Sequence, residues 1–398
     1  MNEKKQRLAI LLFAVISVSM MVSNVIWGIS SIPGYDFRLR YHEVECLRQG
    51  IDPYDIISKK LESKEYALFA TPAVAQGAKA LHVYTPWEYT WFLPLSFLSK
   101  NAAGAIFLFL SILAYIGVSI YAYYEGLAFR GKWEDGLFAA TAALFLGASA
   151  GKMLSVANYG AINAFWILLL ILALSHGHDV MAGIVWSFLM IKPQIGMLFV
   201  IPLLIKRKYI TIGVAVASCL ICSLPPALMC GKNPLILILE VPLGGAFVAD
   251  ANGTMLIPSQ VFNLLKGKVP GIALMLVSML VGAGICAVLT WRLRKNNRWL
   301  VIITPTVVCT LLWSFCHPHD RVILWLTQFL LALTILKTQK ANVRYYCFML
   351  IFLTAWPYWD NNNILSKMIR RISLVMLVYG CWILPKLNIF EKQDANLQ

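Results

Sequence analysis

The sequence has few charged residues and no stretch with the composition of a soluble domain. Only 13% of its 398 residues are Asp, Glu, Lys or Arg, against about 25% in soluble globular domains. Hydrophobic residues make up 59% and the mean hydropathy is +0.70. Continuous apolar runs recur along the chain, whereas a membrane barrel needs alternation. The composition therefore predicts an all-α polytopic membrane protein, with residues 1–398 forming one integral-membrane domain.

Metal-binding spacings are also lacking. The chain has nine cysteines, most of them inside or at the ends of apolar runs, where cysteine behaves as a small hydrophobic residue. Cys219 and Cys222 have CxxC spacing, but an apolar span offers no other zinc ligands. We therefore expect neither a metal nor a cofactor.

The apolar runs predict about twelve membrane-spanning segments, several of them too short to cross a bilayer alone. They cover residues 8–30, 102–124, 136–152, 158–175, 180–191, 194–205, 209–229, 270–291, 299–315, 322–336, 345–357 and 368–385. The first run is too long for the core of a signal peptide and is predicted to be an uncleaved helix.

Basic clusters predict the orientation of these spans. With about twelve crossings, the clusters that begin at Lys4, Arg130, Lys206, Arg292 and Lys337 all fall on one face. Lys and Arg are enriched in cytoplasmic loops, so both termini are predicted to be cytoplasmic in an inner (plasma) membrane. Such loops also contact anionic lipids, and the net charge of +15 therefore requires no nucleic-acid partner.

The first outer loop, about residues 31–100, holds much of the polar chemistry of the opposite face. Asp36 follows Pro33 and Gly34 just beyond the first span. A carboxylate there could act as a general base, taking a proton from an acceptor hydroxyl while a sugar leaves a polyprenyl phosphate. The alternative is an aspartate that begins a helix or turn, which is common after Pro-Gly.

Lys192 interrupts an apolar stretch and is followed by Pro193. Charged groups at membrane depth are costly and often mark a site, and proline frees backbone groups by breaking the helix. The residue type suits an anionic ligand such as a lipid phosphate. The alternative is a lysine that extends its ammonium to the membrane surface.

A third polar element, His317–Arg321, links two apolar segments with the sequence His-Pro-His-Asp-Arg. The guanidinium of Arg321 suits bidentate phosphate binding, and a histidine, with His319 preferred to His317, could donate to phosphate or carry a proton. A connecting loop at the water interface could carry the same residues without any ligand.

The order of these short motifs resembles a known family. The relevant stretches are Tyr35-Asp36, Gly50-x-Asp52-Pro53-Tyr54-Asp55, Tyr84-x-Pro86, Asn158–Asn163, Ile191–Gln194, Lys206–Lys208 and His319–Arg321. Over roughly residues 1–340 the chain is similar to glycosyltransferase family 87, the polyprenol-phosphate-mannose-dependent, mannosyltransferase-like membrane enzymes of the GT-C superfamily.

The resemblance implies a GT-C helical bundle with interface helices in the first outer loop. It implies inverting transfer of mannose or a similar sugar from a polyprenyl-phosphate donor to an extracytoplasmic glycan or glycolipid acceptor. Asp36 takes the position of the base, and Lys192 and His319 those of donor-phosphate or active-site contacts. Arg321 is added on charge alone.

Two departures from the family pattern bear on the site. The family often opens the fourth helix with Gly-Gln or Gly-Asn, whereas this chain has Gly160-Ala161 with Asn163 two residues later, so Asn163 is the candidate substrate contact there. The first loop also lacks the Asp-x-Asp of several related enzymes, and a lipid-phosphate donor has no diphosphate for a metal to mask. This again predicts chemistry without a metal.

Two other functions compete with sugar transfer. A flippase or transporter for lipid-linked sugars would place its charges near the bilayer midplane and often contains repeated halves, which this sequence does not show. An inactive GT-C-like scaffold differs from an enzyme only in its catalytic group, so the sequence leaves that alternative open.

Overall fold

The computed structural model describes residues 3–50, 52–53, 85–149, 154–155, 157–239, 271–313, 318–355 and 364–383. These segments contain helices and connections and no strand. The helices are α1 (Glu3–Ser30), α2 (Tyr35–Arg48), α3 (Pro86–Phe92), α4 (Lys100–Arg130), α5 (Trp133–Ser149), α6 (Gly160–Ser175), α7 (Asp179–Leu189), α8 (Pro193–Gly196), α9 (Val200–Ile205), α10 (Tyr209–Met229), α11 (Gly271–Arg292), α12 (Trp299–Trp313), α13 (Trp325–Lys337), α14 (Ala341–Ala355) and α15 (Ile364–Ile383). Short 3-10 segments cover Leu93–Phe97, Met197–Phe199 and Pro318–Leu324.

Every predicted apolar span coincides with one or more of these helices, and the all-helical class is confirmed. By length and composition, three described helices can cross a membrane: Lys4–Ser30, Lys100–Arg130 and Tyr209–Met229. Shorter apolar helices of 10–17 residues cover Gly160–Ser175, Asp179–Leu189, Pro193–Ile205, Met279–Arg292, Trp299–Leu311, Ala341–Ala355 and Ile372–Ile383. The total of about twelve crossings stays a prediction.

The basic loops that the sequence assigns to one face contact one another. Lys206 Nζ donates to the backbone oxygens of Arg294 and Asn296 at 3.1 and 3.0 Å. Arg7 pairs with Glu134 at 2.7 Å, beside the segment that follows Arg130. These contacts agree with a common end for the basic clusters, while the side of the membrane on which that end lies stays a prediction.

Helix α4 connects this basic end to the opposite end of the bundle. At its start, the hydroxyl oxygen of Ser99 accepts a hydrogen bond from the Ala102 N–H at 3.4 Å. At its end, Gly131 adopts a positive φ of 69°, a common helix stop. Its 31 residues span roughly 46 Å at 1.5 Å per residue. The two ends are therefore separated by more than the hydrocarbon thickness of a bilayer.

A close contact between α4 and the α1–α2 turn positions the start of α2. A Cβ on Gly104 would lie 2.6 Å from the Cβ of Pro33, so only glycine permits this approach. Gly34 then takes a φ of 80°, which favours glycine, and α2 begins at the next residue. Asp36 consequently lies in the first turn of α2.

An aromatic cluster packs α2 against the neighbouring helices. The ring of Phe37 lies 5.6 Å from that of Phe92 and 5.4 Å from that of Phe107. Phe107 in turn meets Tyr159 edge to face at 5.4 Å. Such tilted and edge-to-face arrangements suit the ring quadrupoles, and the cluster fixes α2 beside the segment that enters α6.

Two tryptophans connect the polar segments to the bundle. The Trp325 indole N–H donates to the Ala164 oxygen at 3.0 Å, which joins the end of the Pro318–Leu324 segment to α6. The Trp186 indole N–H donates to the Gly196 oxygen at 2.9 Å, which holds α8 against α7. Both bonds are buried, so they fix the chain on either side of the candidate site.

We expect Gly104→Ala to lower the thermal unfolding midpoint of the purified protein in detergent. The added methyl group would push Pro33 away from α4, and overpacking of this kind costs about 1–3 kcal/mol. Gly213→Ala is the matched control, because a Cβ there meets nothing within 4 Å and alanine favours the helix. Equal midpoints for the two variants would contradict the close contact.

Candidate active site

The side-chain amide of Asn158 joins an acid and a base from distant parts of the chain. Its Nδ2 donates to Asp36 Oδ2 at 2.5 Å. Its Oδ1 accepts from Lys192 Nζ at 2.9 Å and from the Gly160 N–H at 3.2 Å, at the start of α6. Because both ends of the amide are engaged, Asn158 orients the Asp36 carboxylate and the Lys192 ammonium relative to each other.

Lys192 lies in the break between α7 and α8, and Pro193 occupies the first position of α8. Its ammonium donates to Asp320 Oδ1 at 2.7 Å, and the residue is 2% exposed. The alternative of a lysine that reaches the membrane surface is therefore wrong. The partner, Asp320, is 1% exposed and lies in the Pro318–Leu324 segment.

Asp36, Asn158, Lys192 and Asp320 form a continuous chain of hydrogen bonds, here called the Lys192 array. Two carboxylates share one ammonium through direct and amide-mediated contacts. Asp36 is half-buried, and its Oδ1 receives no hydrogen bond from the described residues. The alternative of a helix-starting aspartate describes its position correctly, but the residue also belongs to this array.

The other predicted site residues are Arg321, His319 and Asn163. They lie in the Pro318–Leu324 segment and in α6. Arg321 is buried directly after Asp320. His319 belongs to the same segment, but its side chain and all of His317 lie outside the described residues. Asn163 is fully buried in the first turn of α6, and neither atom of its amide has a hydrogen-bond partner among the described residues.

A second acidic group lies beside the Lys192 array. Glu88 on α3 is fully buried, and its Oε1 accepts a hydrogen bond from the Tyr159 hydroxyl at 2.7 Å. Burial raises the pKa of the Glu88 carboxyl to about 8, although the charges of Arg40 and Lys192 act against that shift. This shift favours the neutral acid form of Glu88 over the carboxylate.

Ion pairs fix the described parts of the segment that is predicted to form the first outer loop. Arg40 donates to Glu43 at 2.9 Å inside α2. Asp52, from the Gly-x-Asp-Pro motif, pairs with Lys232 just beyond α10. Tyr54 and Asp55 of that motif and Tyr84 lie outside the described residues. The second pair therefore ties the loop to the end of α10.

Sequence reasoning found Asp36 and Lys192 but did not assign a role to the residues that join them. The available signal for these residues (Asn158, Asp320 and Glu88) was that each is a polar residue close to an apolar stretch. No local spacing links Lys192 to Asn158 or Asp320, which lie 34 and 128 residues away. Only the packing of the helices brings them together.

The chemistry of the array suits an anionic substrate that reacts at a hydroxyl. A buried ammonium and the neighbouring guanidinium of Arg321 favour phosphate. A carboxylate with one unengaged oxygen can accept a proton. In the described segments, no group of three or more His, Cys, Asp and Glu side chains converges as metal ligands.

The Lys192–Asp320 pair can be tested by a double-mutant cycle. We expect Lys192→Met or Asp320→Leu alone to destabilise the protein by about 3–5 kcal/mol, because each leaves the other charge buried. The double variant should recover part of that loss. Thermal unfolding in detergent measures the effect. The half-exposed Lys208–Asp179 pair, at 2.8 Å, is the control, and breaking it should lower the free energy of unfolding by about 1 kcal/mol or less. Additive losses at Lys192 and Asp320 would contradict the pairing.

Comparison with known proteins identifies the family. The family model for glycosyltransferase family 87 matches residues 82–318, more than half of the chain, and this range includes Glu88, Asn158 and Lys192. No curated protein and no solved structure matches the chain. The family match agrees with the apolar helices and with an array suited to an anionic substrate. The chain therefore belongs to glycosyltransferase family 87 and is a membrane glycosyltransferase.

Proposed function

We propose that the protein transfers a sugar, mannose or a similar hexose, from a polyprenyl-phosphate donor to an extracytoplasmic glycan or glycolipid, with inversion at the anomeric carbon. The observation that carries the proposal is the shared contact of Asn158 with Asp36 and Lys192. It holds a carboxylate able to accept a proton close to a cation able to stabilise a departing phosphate.

In this reaction, Asp36 acts as the general base. Asn158 occupies Oδ2, which leaves Oδ1 to take the proton of the acceptor hydroxyl. The acceptor oxygen attacks the anomeric carbon from the face opposite the donor phosphate. The bond between that carbon and the phosphate oxygen breaks, and polyprenyl phosphate leaves with the electron pair. The proton ends on Asp36, so atoms and charge balance.

Lys192 supplies the positive charge near the leaving group in this proposal. His319 and Arg321 flank Asp320 in the chain, which supports donor-phosphate roles for both. Fixed charges in a site that excludes water stabilise developing charge more strongly than they would in water. A phosphate that is itself the leaving group needs no metal, which supports a mechanism without one.

The side chain of Asn163, in the first turn of α6, is our candidate for a polar contact with the substrate. Its amide is fully buried, and neither of its polar atoms has a partner among the described residues. Burying an amide without hydrogen bonds costs roughly 1–3 kcal/mol. A sugar hydroxyl or a water molecule beside it would remove that cost, and we assign Asn163 to the donor sugar.

The decisive experiment is sugar transfer by the purified protein in nanodiscs, with a panel of polyprenyl-phosphate sugars and a membrane lipid extract as the source of acceptor. We expect Asp36→Asn to reduce transfer by about 100-fold or more, since general bases contribute roughly 10²–10⁴ to rate. Asp179→Asn is the matched control, because that carboxylate pairs with Lys208 in a half-exposed position and contacts none of the array residues.

The outcomes separate the competing functions. Transfer by the wild type and the control but not by Asp36→Asn supports the proposal, and the productive donor identifies the sugar. Equal transfer by all three proteins would reject Asp36 as the base. Movement of the lipid-linked sugar across a vesicle membrane without transfer would indicate a flippase, and binding of donor without either activity would indicate a scaffold.

A further inference from the structure

Glu88 is a buried acid that the reaction above does not use. It lies on α3, the short helix between Thr85 and the Leu93–Phe97 segment, and it is fully buried. Its Oε1 accepts from Tyr159, whereas Oε2 is also buried and has no hydrogen-bond partner among the described residues. Tyr159 follows Asn158 directly in the chain, so Glu88 is linked to the Lys192 array by one hydrogen bond and one peptide unit.

The cations near Glu88 are already engaged with other carboxylates. Arg40 on α2 pairs with Glu43 at 2.9 Å, and Lys192 pairs with Asp320 at 2.7 Å. An ionised carboxylate buried without a cation of its own carries a large desolvation cost. The arrangement therefore favours a protonated Glu88.

Several described elements packed against α3 contribute to this environment. Helix α2 supplies Arg40 and Glu43, and the chain before α6 and α8 supplies Tyr159 and Lys192. Helix α10 faces α3 with the neutral thiols of Cys219 and Cys222, and Thr90 donates to the Cys222 oxygen. The Leu93–Phe97 segment contains no titratable side chain.

We propose that Glu88 is a positioning residue that works as a neutral carboxylic acid. It holds Tyr159, and through the adjoining Asn158 the Lys192 array, without adding a negative charge beside the phosphate of the donor. This inference rests on the proposed function, because it assumes an anionic ligand at Lys192.

The charge balance explains why neutrality matters. Among the described residues, the Arg40–Glu43 and Lys192–Asp320 pairs are each neutral as a pair. An ionised Glu88 would add an unpaired negative charge beside these two pairs before the donor arrives. Like charges repel strongly where water is excluded, so ionisation of Glu88 would weaken donor binding.

The direction of the pH dependence follows from the raised pKa of about 8. Below that pH, Glu88 is neutral and the donor binds; above it, the carboxylate forms and affinity falls. If only the neutral form binds, the loss reaches about tenfold for each pH unit above the pKa. The phosphodiester of the donor carries one negative charge throughout this range, so the ligand does not contribute to the change.

The test measures binding of a polyprenyl-phosphate mannose to the full chain in nanodiscs from about pH 6.5 to 9.5. For the wild type we expect affinity to fall by about fivefold between pH 8 and pH 9, and by about tenfold between pH 7 and pH 9. Glu88→Gln cannot ionise but keeps the shape and the acceptor for Tyr159, so its affinity should not show this fall. Glu88→Ala should bind weakly at every pH, and recovery in Glu88→Gln would show that a neutral hydrogen-bonding group suffices.

Tyr159→Phe provides a second, directional test. The Tyr159 hydroxyl favours the ionised form of Glu88 and so lowers its pKa. Its removal should move the alkaline fall in affinity to higher pH, and a purely structural role for Glu88 would not produce that shift. An unchanged alkaline fall in Glu88→Gln would overturn the proposal, because another group would then be titrating.

Infrared spectroscopy separates failure of this inference from failure of the proposed function. The difference between wild-type and Glu88→Gln spectra should contain the C=O band of a protonated acid at neutral pH, lost as the pH rises through about 8. If the wild type binds no donor at any pH, the donor assignment fails and the infrared titration alone decides the state of Glu88. Absence of the band at neutral pH would reject a neutral Glu88 whatever the binding result.

Discussion

The buried ammonium of Lys192 is the constraint on which the rest of the site depends. Moving such a charge out of water costs several kcal/mol unless it is paired and hydrogen-bonded. Its partners, Asn158 and Asp320, come from segments 34 and 128 residues away. The helices therefore have to bring the entry to α6, the break before α8 and the Pro318–Leu324 segment to one point. Once Asn158 is fixed by Lys192, its amide nitrogen is aimed at Asp36, so pairing the lysine also orients the candidate base.

Apolar patterning predicted the helices well, because a chain with few charges must satisfy its backbone internally in a membrane. The same scarcity of charge made Lys192 and Asp36 stand out as candidates. Their connection was not predictable, since the partners are joined by tertiary packing and not by helical spacing. The sequence also allowed Lys192 to reach the membrane surface, and only its burial against Asp320 excludes that. Glu88 looked like one more polar residue of a loop, and its buried position on α3 could not be read from its neighbours.

Charged groups have different energetic roles at the two ends of the bundle. At the basic end, pairs such as Lys208–Asp179 are partly exposed, so water and salt screen them and each contributes little to stability. Beside Asn158, the charges of Lys192 and Asp320 are buried, and each needs the other as a partner. Apolar residues can often replace a buried ion pair with little or no loss of stability, so stability alone gives little reason to keep the Lys192–Asp320 pair. Retaining it in an apolar bundle therefore favours a role in binding or chemistry.

The same reasoning decides how a phosphate can enter the site. Lys192 is already paired, so an incoming donor must share its ammonium with Asp320 or displace that carboxylate. Asn158 and Asp320 accept hydrogen bonds from that ammonium at 2.9 and 2.7 Å, and these contacts fix its position before a donor arrives. In the proposed mechanism the phosphate then adds a negative charge beside Asp320, and the neighbouring charges decide how strongly it binds. A further ionised carboxylate would weaken that binding, which is the reason we assign a neutral form to Glu88.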